Sequence, residues 1–133
     1  MKVVFDANIL ISAFFYGGNP RKVLERVISK TDELFITKEI LEEISEVMDR
    51  PKFHTEKEKI DYFISSLEEI GNKIIPRKQI KNVSRDKTDD KYIDCGITAN
   101  VDYLISGDVH LLELKEYRGI KIITAREYLE ITK

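Results

Sequence analysis

Short apolar runs alternate with helix-like patterns along the whole chain, and this alternation limits the fold more than any other feature. The runs KVVF, ELFIT, KIIP, DYLIS and GIKIIT predict five strands. The segments between them carry apolar residues three and four positions apart, which is typical of helices. Strands joined through helices form right-handed crossovers, so the sheet is mostly parallel and covered on both faces. The sequence therefore predicts one three-layer α/β/α domain over residues 1–133, with a central five-stranded sheet.

Local signals predict where several elements begin and end. Thr37 is suited to cap the helix that follows the second strand. Thr55 and Glu58 have the spacing of a capping box. The segment VHLLELKEY predicts one short helix, and residues 77–87 are expected to form the one long loop.

The composition favours a cytoplasmic protein whose metal ligands, if it has any, are oxygen atoms. No apolar run reaches the roughly 20 residues that cross a bilayer. Asp6 and Asn8 interrupt the apolar run near the N-terminus, which is unlike a signal peptide. With the single cysteine Cys95 and two histidines, neither a disulfide nor a zinc cluster is expected. Carboxylates remain, and these suit Mg²⁺ or Mn²⁺.

The net charge of −2 hides an uneven distribution of charge. The segment from residue 73 to residue 87 contains six basic residues and one acidic residue, Asp86. These bases are Lys73, Arg77, Lys78, Lys81, Arg85 and Lys87. Most charge runs are solvated loops, but a nuclease also needs basic surface near an acidic metal pocket to hold phosphates.

Two acids follow predicted strands at the positions where ligands usually bind. Asp6 follows Val3–Phe5, and Asp108 follows the fourth strand through Ser106 and Gly107. In open parallel sheets ligands bind beyond the carboxyl ends of the strands, where the strand order reverses. A single aspartate there is usually a helix cap, but two on adjacent strands would converge. We therefore expect Asp6 and Asp108 to share one cleft.

Two further acids lie on predicted helices near that edge. Glu43 lies beside Ile40 and Val47, at the border of an apolar stripe, where a surface glutamate is the simpler interpretation. Asp90 starts the helix before the fourth strand and shares a face with Ile93. Neighbouring acids leave the choice open, since the role given to Asp90 could be shared by Asp86, Asp89 or Asp94. Acids on an inward face need a cation or another partner.

Three segments together resemble the PIN-domain family. They are VVFDANILISAFF, ILEEISEVMDRPKF and the stretch from DKTDDKYIDCGITANVDYLISGD to the final TAREYL. They cover about four-fifths of the chain in the expected order, and the nearest branch resembles the small prokaryotic toxin-like (VapC-like) ribonucleases. The resemblance identifies Asp6, Glu43, Asp90 and Asp108 as the catalytic and metal-binding acids. Many relatives carry another acid two residues after the fourth, and here His110 occupies that position.

The resemblance implies RNA phosphodiester hydrolysis with Mg²⁺ or Mn²⁺ by a toxin component of a toxin–antitoxin pair. Asn8, Ser12 and Ser106 are expected to orient the acids by hydrogen bonds. Partners would be RNA, an antitoxin protein and a second copy of the chain, with Phe14, Phe15, Tyr16, Tyr62 and Phe63 as interface candidates. Bases near the strand ends could hold phosphates, namely Arg21, Lys22, Arg50, Lys52, Arg85 and Lys87.

Two other classes of protein remain as alternatives. A PIN-like scaffold would bind RNA or a partner without cleaving, and Mn²⁺ binding that depends on Asp6 and Asp108 would argue against it. A phosphotransfer fold is less well supported. A receiver domain needs paired acids after its first strand, and a dehalogenase-type phosphatase needs an aspartate at the position of Asn8.

Overall fold

The computed structural model describes residues 1–78, 80 and 83–133. One sheet contains the described strands, which are β1 (Lys2–Phe5), β2 (Glu33–Ile36), β3 (Asn72–Lys73), β4 (Tyr103–Ile105), β5 (Glu116–Tyr117) and β6 (Ile120–Ile123). Their order is β3-β2-β1-β4-β6-β5. All neighbouring strands run parallel except β5 and β6. The mostly parallel sheet that the alternating pattern predicted is confirmed.

Helices flank this sheet. The described α-helices are α1 (Ala7–Phe15), α2 (Gly18–Ile28), α3 (Lys38–Met48), α4 (Lys57–Ile70), α5 (Asp90–Ala99), α6 (Val109–Leu112) and α7 (Ala125–Ile131). Short 3₁₀ helices occupy Pro51–Phe53 and Lys87–Asp89. In the described part of the chain, no helix has the length and apolar character needed to cross a membrane.

Among the described residues the sheet has six strands where the sequence predicted five, because the segment VHLLELKEY does not form one helix. Helix α6 ends at Leu112, and Lys115 adopts a positive φ of 62° that a helix cannot continue through. Strand β5 then turns into β6 through Arg118 and Gly119, whose φ angles are 48° and 85°. Two consecutive positive φ values are typical of the tight turn in a two-residue hairpin.

Of the two helix starts for which the sequence predicted a side-chain cap, one has that cap and the other does not. The Thr37 hydroxyl accepts a 3.2 Å hydrogen bond from Ile40 N, so the predicted cap of α3 is confirmed. The capping box expected at Thr55 and Glu58 is wrong, because α4 begins after Glu56 without a side-chain cap. The Thr55 hydroxyl instead donates to the backbone of the preceding 3₁₀ helix over 3.1 Å.

The central strand β1 lies at the point where the strand order reverses. It pairs with β2 on one side and with β4 on the other. From β1 the chain proceeds through β2 to β3 at one edge, whereas β4 leads to β6 on the opposite side. Val3, Val4 and Phe5 are buried, so β1 is held firmly within the core. The carboxyl ends of β1 and β4 therefore meet at the topological switch point, where ligands bind in folds of this class.

Helix α5 packs closely on the centre of the sheet. Among the strands it contacts β1, β2 and β4, and it also contacts α3. Gly96 permits this approach, because a Cβ atom there would meet Ile120 and Val101 side-chain carbons at 3.2 Å. The start of α5 is consequently held beside the switch point.

Candidate active site

Asp6 directly follows β1 and begins α1. Its Oδ1 accepts a 2.9 Å hydrogen bond from Ile9 N and caps the helix. Its Oδ2 accepts a hydrogen bond from the Ser106 hydroxyl. Burial raises the pKa of Asp6, hydrogen bonds from Ser106 and the backbone oppose this rise, and the charge of Asp108 adds to it. Asp6 is therefore a buried carboxylate that lies close enough to Asp108 to be repelled by it.

Asp108 lies just beyond β4, the neighbour of β1. Its backbone N–H donates to Ser106 Oγ over 2.9 Å, and the same hydroxyl donates to Asp6. Its Oδ1 accepts a 2.7 Å hydrogen bond from His110 N. Asp6 N also donates to Ile105 O over 3.1 Å. Ser106 thus joins the two strand-end acids, which share one edge of the sheet as expected for adjacent parallel strands.

Asp89 is the third acid that the structure brings to this edge. It ends the 3₁₀ helix before α5 and is 8% exposed. Burial is the largest cause that raises the pKa of Asp89 to about 7. The negative charges of Asp108, Asp86 and Asp6 act in the same direction. Its Oδ2 is buried and has no hydrogen-bond partner among the described residues.

Asp90, the third acid expected from the sequence, makes different contacts. Its two carboxylate oxygens accept hydrogen bonds from the backbone N–H groups of Val83 (3.2 Å) and Ser84 (2.8 Å). The side chain therefore holds the end of the preceding loop against α5. The catalytic role expected of Asp90 stays a prediction, and the described geometry favours Asp89 as the acid beside Asp6 and Asp108.

The other two candidate acids of this segment also have separate surroundings. Asp86 accepts hydrogen bonds from Thr88 N (3.0 Å) and from the Thr88 hydroxyl (2.7 Å), which lower its pKa. It caps the 3₁₀ helix and contributes negative charge to the environment of Asp89. Asp94 is buried one turn along α5, near Cys95.

Glu43 reaches the same region from α3 through a tyrosine. The Tyr92 hydroxyl donates to Glu43 Oε1 over 2.6 Å and accepts from Ala7 N over 3.1 Å. Lys91 Nζ lies 2.7 Å from the same Glu43 oxygen, and its side chain is only 11% exposed. Glu43 is thus connected to the first turn of α1, beside Asp6, and its charge is balanced by Lys91.

Sequence reasoning did not identify Lys91 and Tyr92 as parts of this site. The face of α5 that packs inward contains Tyr92, Ile93 and Gly96. Asp89 precedes these residues by three, four and seven positions, so it belongs to the same face. The glycine in the middle of a helix was the signal that could have located this face, because close helix–sheet packing requires it.

The polar residues expected to orient the acids have different surroundings. Ser106 is fully buried and makes the hydrogen bonds to Asp6 and Asp108 described above. Asn8 is exposed in the first turn of α1, and Ser12 is half-buried one turn later. Their expected role stays a prediction.

Three of the six candidate phosphate-binding bases contact other residues of the protein. Arg21 donates to the carbonyls of Ala13 and Phe14, so it stabilises the end of α1. Arg85 pairs with Glu113 at 3.1 Å, and Lys52 lies over the Phe53 ring. The remaining candidates are exposed: Lys22, Arg50 and Lys87. Arg50 also lines a groove of about 510 Å³ that includes Glu43 and Lys91, and Lys81 of the basic stretch lies outside the described residues.

A divalent cation fits the chemistry of this edge. As placed, the described residues contain no group of three or more acids, histidines or cysteines that could hold a metal ion. Mg²⁺ needs only one or two carboxylates, because waters and phosphate oxygens complete its coordination. The unpartnered Oδ2 of Asp89 and the repulsion between Asp6, Asp89 and Asp108 are conditions that a cation relieves.

Comparison with protein families agrees with the fold. The sequence matches none of the curated proteins. A family model described as PIN domain matches residues 2–110, from the start of β1 to two residues beyond Asp108. PIN domains are generally nucleases, and they generally use divalent metals. The match covers most of the chain, including Asp6, Glu43, Asp89, Asp90 and Asp108, and the protein therefore belongs to the PIN-domain family.

Proposed function

We propose that the protein is a divalent-metal-dependent ribonuclease that hydrolyses RNA phosphodiester bonds at the carboxyl edge of β1 and β4. The observation that carries this proposal is the convergence of Asp6, Asp89 and Asp108 from three separate segments. The repulsion among these three carboxylates destabilises the folded chain, so it does not serve the stability of the fold. It becomes useful when a cation binds, because the same charges then contribute to affinity.

Asp6 and Asp108 would hold the cation, with Asp89 in the role that the sequence suggested for Asp90. Glu43 would flank them and orient water. Bound there, Mg²⁺ or Mn²⁺ supplies a Lewis acid that polarises the phosphate and acidifies a water molecule. The chain itself contributes position, because two helix caps and Ser106 fix the carboxylates of Asp6 and Asp108 before substrate binds.

Basic side chains around this edge would bind the RNA backbone. Arg50 borders the groove beside Glu43, and Lys87 is exposed two residues from Asp89. The charge of Lys91 acts on Asp89, but its ammonium group is held by Glu43 and by the Thr88 carbonyl, so it would have to leave Glu43 to bind a phosphate oxygen. These contacts are made with charged phosphates and do not depend on base identity. RNA binding should therefore weaken steeply as the salt concentration rises.

We further propose that the protein is the toxin component of a toxin–antitoxin pair, acts in the cytoplasm and forms a homodimer. These proposals rest on the resemblance to small prokaryotic PIN proteins. Exposed aromatic side chains support a dimer surface, since Tyr16 and Tyr62 are 75% and 76% exposed. Phe14 and Phe63, in contrast, pack against each other with ring centroids 4.9 Å apart.

An RNA cleavage assay with the Asp6→Asn variant tests the catalytic proposal. Asparagine is a good helix cap, so the variant should fold while losing a metal-binding charge. We expect cleavage of single-stranded RNA in Mn²⁺ by the native chain, none with EDTA, and a loss of at least about 100-fold in the variant. Asp61→Asn on exposed α4 is the matched control and should retain activity. Undiminished cleavage by folded Asp6→Asn, or RNA binding without cleavage by the native chain, would refute the proposal.

A further inference from the structure

Lys91, in the first turn of α5, carries a charge that is almost fully enclosed. Its side chain is 11% exposed, whereas Lys59 and Lys87 are exposed to solvent. A long side chain loses rotamer freedom when it is fixed in one place, and a charge loses water when it is buried. The burial of Lys91 therefore requires partners that hold its ammonium group.

Three groups surround this ammonium. Nζ of Lys91 lies 2.7 Å from Glu43 Oε1 on α3. It also donates a hydrogen bond to the backbone carbonyl of Thr88, in the 3₁₀ helix before α5. The Tyr92 ring lies below it, with 5.0 Å between Nζ and the ring centroid. Lys91 thus connects Glu43 to the short segment that ends at Asp89.

The Glu43 carboxylate is held through one of its oxygens. The Tyr92 hydroxyl and the Lys91 ammonium contact Oε1 at 2.6 and 2.7 Å. The side chain of Glu43 is still 35% exposed, and it lines the groove of about 510 Å³ described above. The carboxylate is therefore fixed from the protein side and remains partly open to the groove, where a substrate or a water molecule can reach it.

These contacts favour a fixed Lys91 over one that binds RNA. Exposed ion pairs contribute little because water competes for both partners, but this ammonium is enclosed and also has a carbonyl acceptor. To bind a phosphate, Lys91 would have to release both Glu43 and Thr88. The exposed side chains of Arg50 and Lys87 are more accessible to an RNA backbone.

We propose that Lys91 is a positioning residue for RNA cleavage, which fixes Glu43 relative to the segment carrying Asp89 and does not itself bind RNA. The proposal rests on the proposed nuclease function and assigns a role in it to a further residue. Loss of Lys91 displaces the carboxylate that orients water and leaves the RNA-binding surface in place. Its signature is a fall in kcat without a rise in KM.

Steady-state cleavage of single-stranded RNA tests this signature. Lys91→Met removes the ammonium and keeps an unbranched stem, and Lys59→Met on exposed α4 is the matched control. We expect Lys91→Met to lower kcat by about tenfold or more, with KM unchanged. Lys91→Arg should recover part of this loss, because a guanidinium can also pair with Glu43. Lys59→Met should cleave like the native chain.

Two kinetic outcomes would overturn the proposal. One is a native kcat in folded Lys91→Met. The other is a higher KM together with a salt dependence of RNA binding whose slope falls by about one, since this would identify Lys91 as a phosphate contact.

Combination with Glu43→Gln tests whether Lys91 acts through Glu43. In a Glu43→Gln background, Lys91→Met should lower kcat by less than about twofold, because the carboxylate that it positions is already absent. If Lys91→Met causes its full loss in both backgrounds, the two residues act independently and the proposal is wrong.

Nuclear magnetic resonance of the lysine ammonium groups tests the contact in the native chain, without an activity assay. An ammonium held between a carboxylate and a carbonyl should exchange its protons with water more slowly than an exposed one. We expect a slowly exchanging signal that is absent in Lys91→Arg and exchanges faster in Glu43→Gln. Exchange at Lys91 as fast as at Lys59 would contradict the proposal. A native chain that shows the slow signal but cleaves no RNA would instead refute the proposed function.

Discussion

The Tyr92 hydroxyl donates a 2.6 Å hydrogen bond to Glu43 Oε1, and this bond connects α5 to α3. The same hydroxyl accepts from the N–H of Ala7, the residue after Asp6. Burial and the contact with Glu43 raise the pKa of Tyr92, so the hydroxyl stays protonated and remains a donor. Two of the proposed catalytic acids are therefore positioned through one side chain that is itself buried.

Tyr92→Phe should weaken the site without displacing the helix. It removes the donor to Glu43 and the acceptor of Ala7 N–H, so we expect a loss of about 1–3 kcal/mol in the free energy of unfolding. Loss of an orienting hydrogen bond should lower kcat/KM by about 10- to 100-fold. Tyr62→Phe, at an exposed position, is the control. If Tyr92→Phe cleaves RNA as fast as the native chain, Glu43 does not depend on this contact.

Asp89 should make the metal-free protein less stable as the pH rises. Its pKa of about 7 in the folded chain exceeds the usual 3.8, so the folded state binds the proton more tightly than the unfolded state. The contribution of this proton to the free energy of unfolding is complete below about pH 4 and is lost as the pH rises through 7. Asp89→Asn should therefore raise the free energy of unfolding at pH 8 by roughly 1–3 kcal/mol in EDTA. Urea unfolding at pH 4 and pH 8 measures this, and a variant that is less stable at pH 8 would contradict the account.

Asp90→Asn should weaken the attachment of the preceding loop to α5 rather than the binding of the metal ion. The substitution removes the charge of a carboxylate that accepts from Val83 N and Ser84 N, bonds that charge strengthens. We expect a loss of about 1–2 kcal/mol in the free energy of unfolding. Mn²⁺ affinity, measured by calorimetry, should change less than in Asp89→Asn. A larger loss of affinity in Asp90→Asn would restore Asp90 as the third acid.

Asp32 should contribute strongly to stability, at a distance from the proposed site. Its buried carboxylate accepts from Arg26 Nε (2.7 Å) and from the Tyr128 hydroxyl (2.8 Å). Burial alone would raise the pKa of Asp32, but these hydrogen bonds leave it lowered overall. Its stabilisation is therefore present above about pH 4 and is lost as the pH falls through the lower folded-state pKa.

Asp32→Asn should lower the free energy of unfolding by about 1–3 kcal/mol at pH 7, because it removes the charge that strengthens the hydrogen bonds from Arg26 and Tyr128. The difference from the native chain should shrink below pH 3. Thermal unfolding across this pH range measures both effects, with Asp61→Asn as the exposed control. A variant as stable as the native chain at pH 7 would show that the network contributes little.

The sheet and the strand-end acids could be predicted because they depend on local patterns. Apolar runs specify strands, and parallel strands bring their carboxyl ends together, so Asp6 and Asp108 were expected to meet. The run GIKIIT, which contains β6, was predicted as a strand, but the hairpin was missed because β5 is only two residues long. Its signal, Arg118 followed by Gly119, is weaker than the usual Asn-Gly turn.

The choice between Asp89 and Asp90 could not be made from sequence because it depends on a rotation of about 100° around α5. Asp90 was placed on the inward face together with Ile93, whereas Tyr92 and Gly96, which share a face with Asp89, are also buried. Such a shift moves the preceding acid by one residue. The contacts of Asp90 with the loop amides arise from long-range folding, which no local pattern encodes.

A crystal structure of the Mn²⁺-soaked protein, with the anomalous signal of the metal, tests the central claim most directly. We predict one or two peaks at the carboxyl edge of β1 and β4, contacted by carboxylate oxygens of Asp6, Asp89 and Asp108. Peaks held by Asp90 in place of Asp89 would change the assignment of the third acid. Full Mn²⁺ occupancy elsewhere on the molecule, with this edge empty, would contradict the account as a whole.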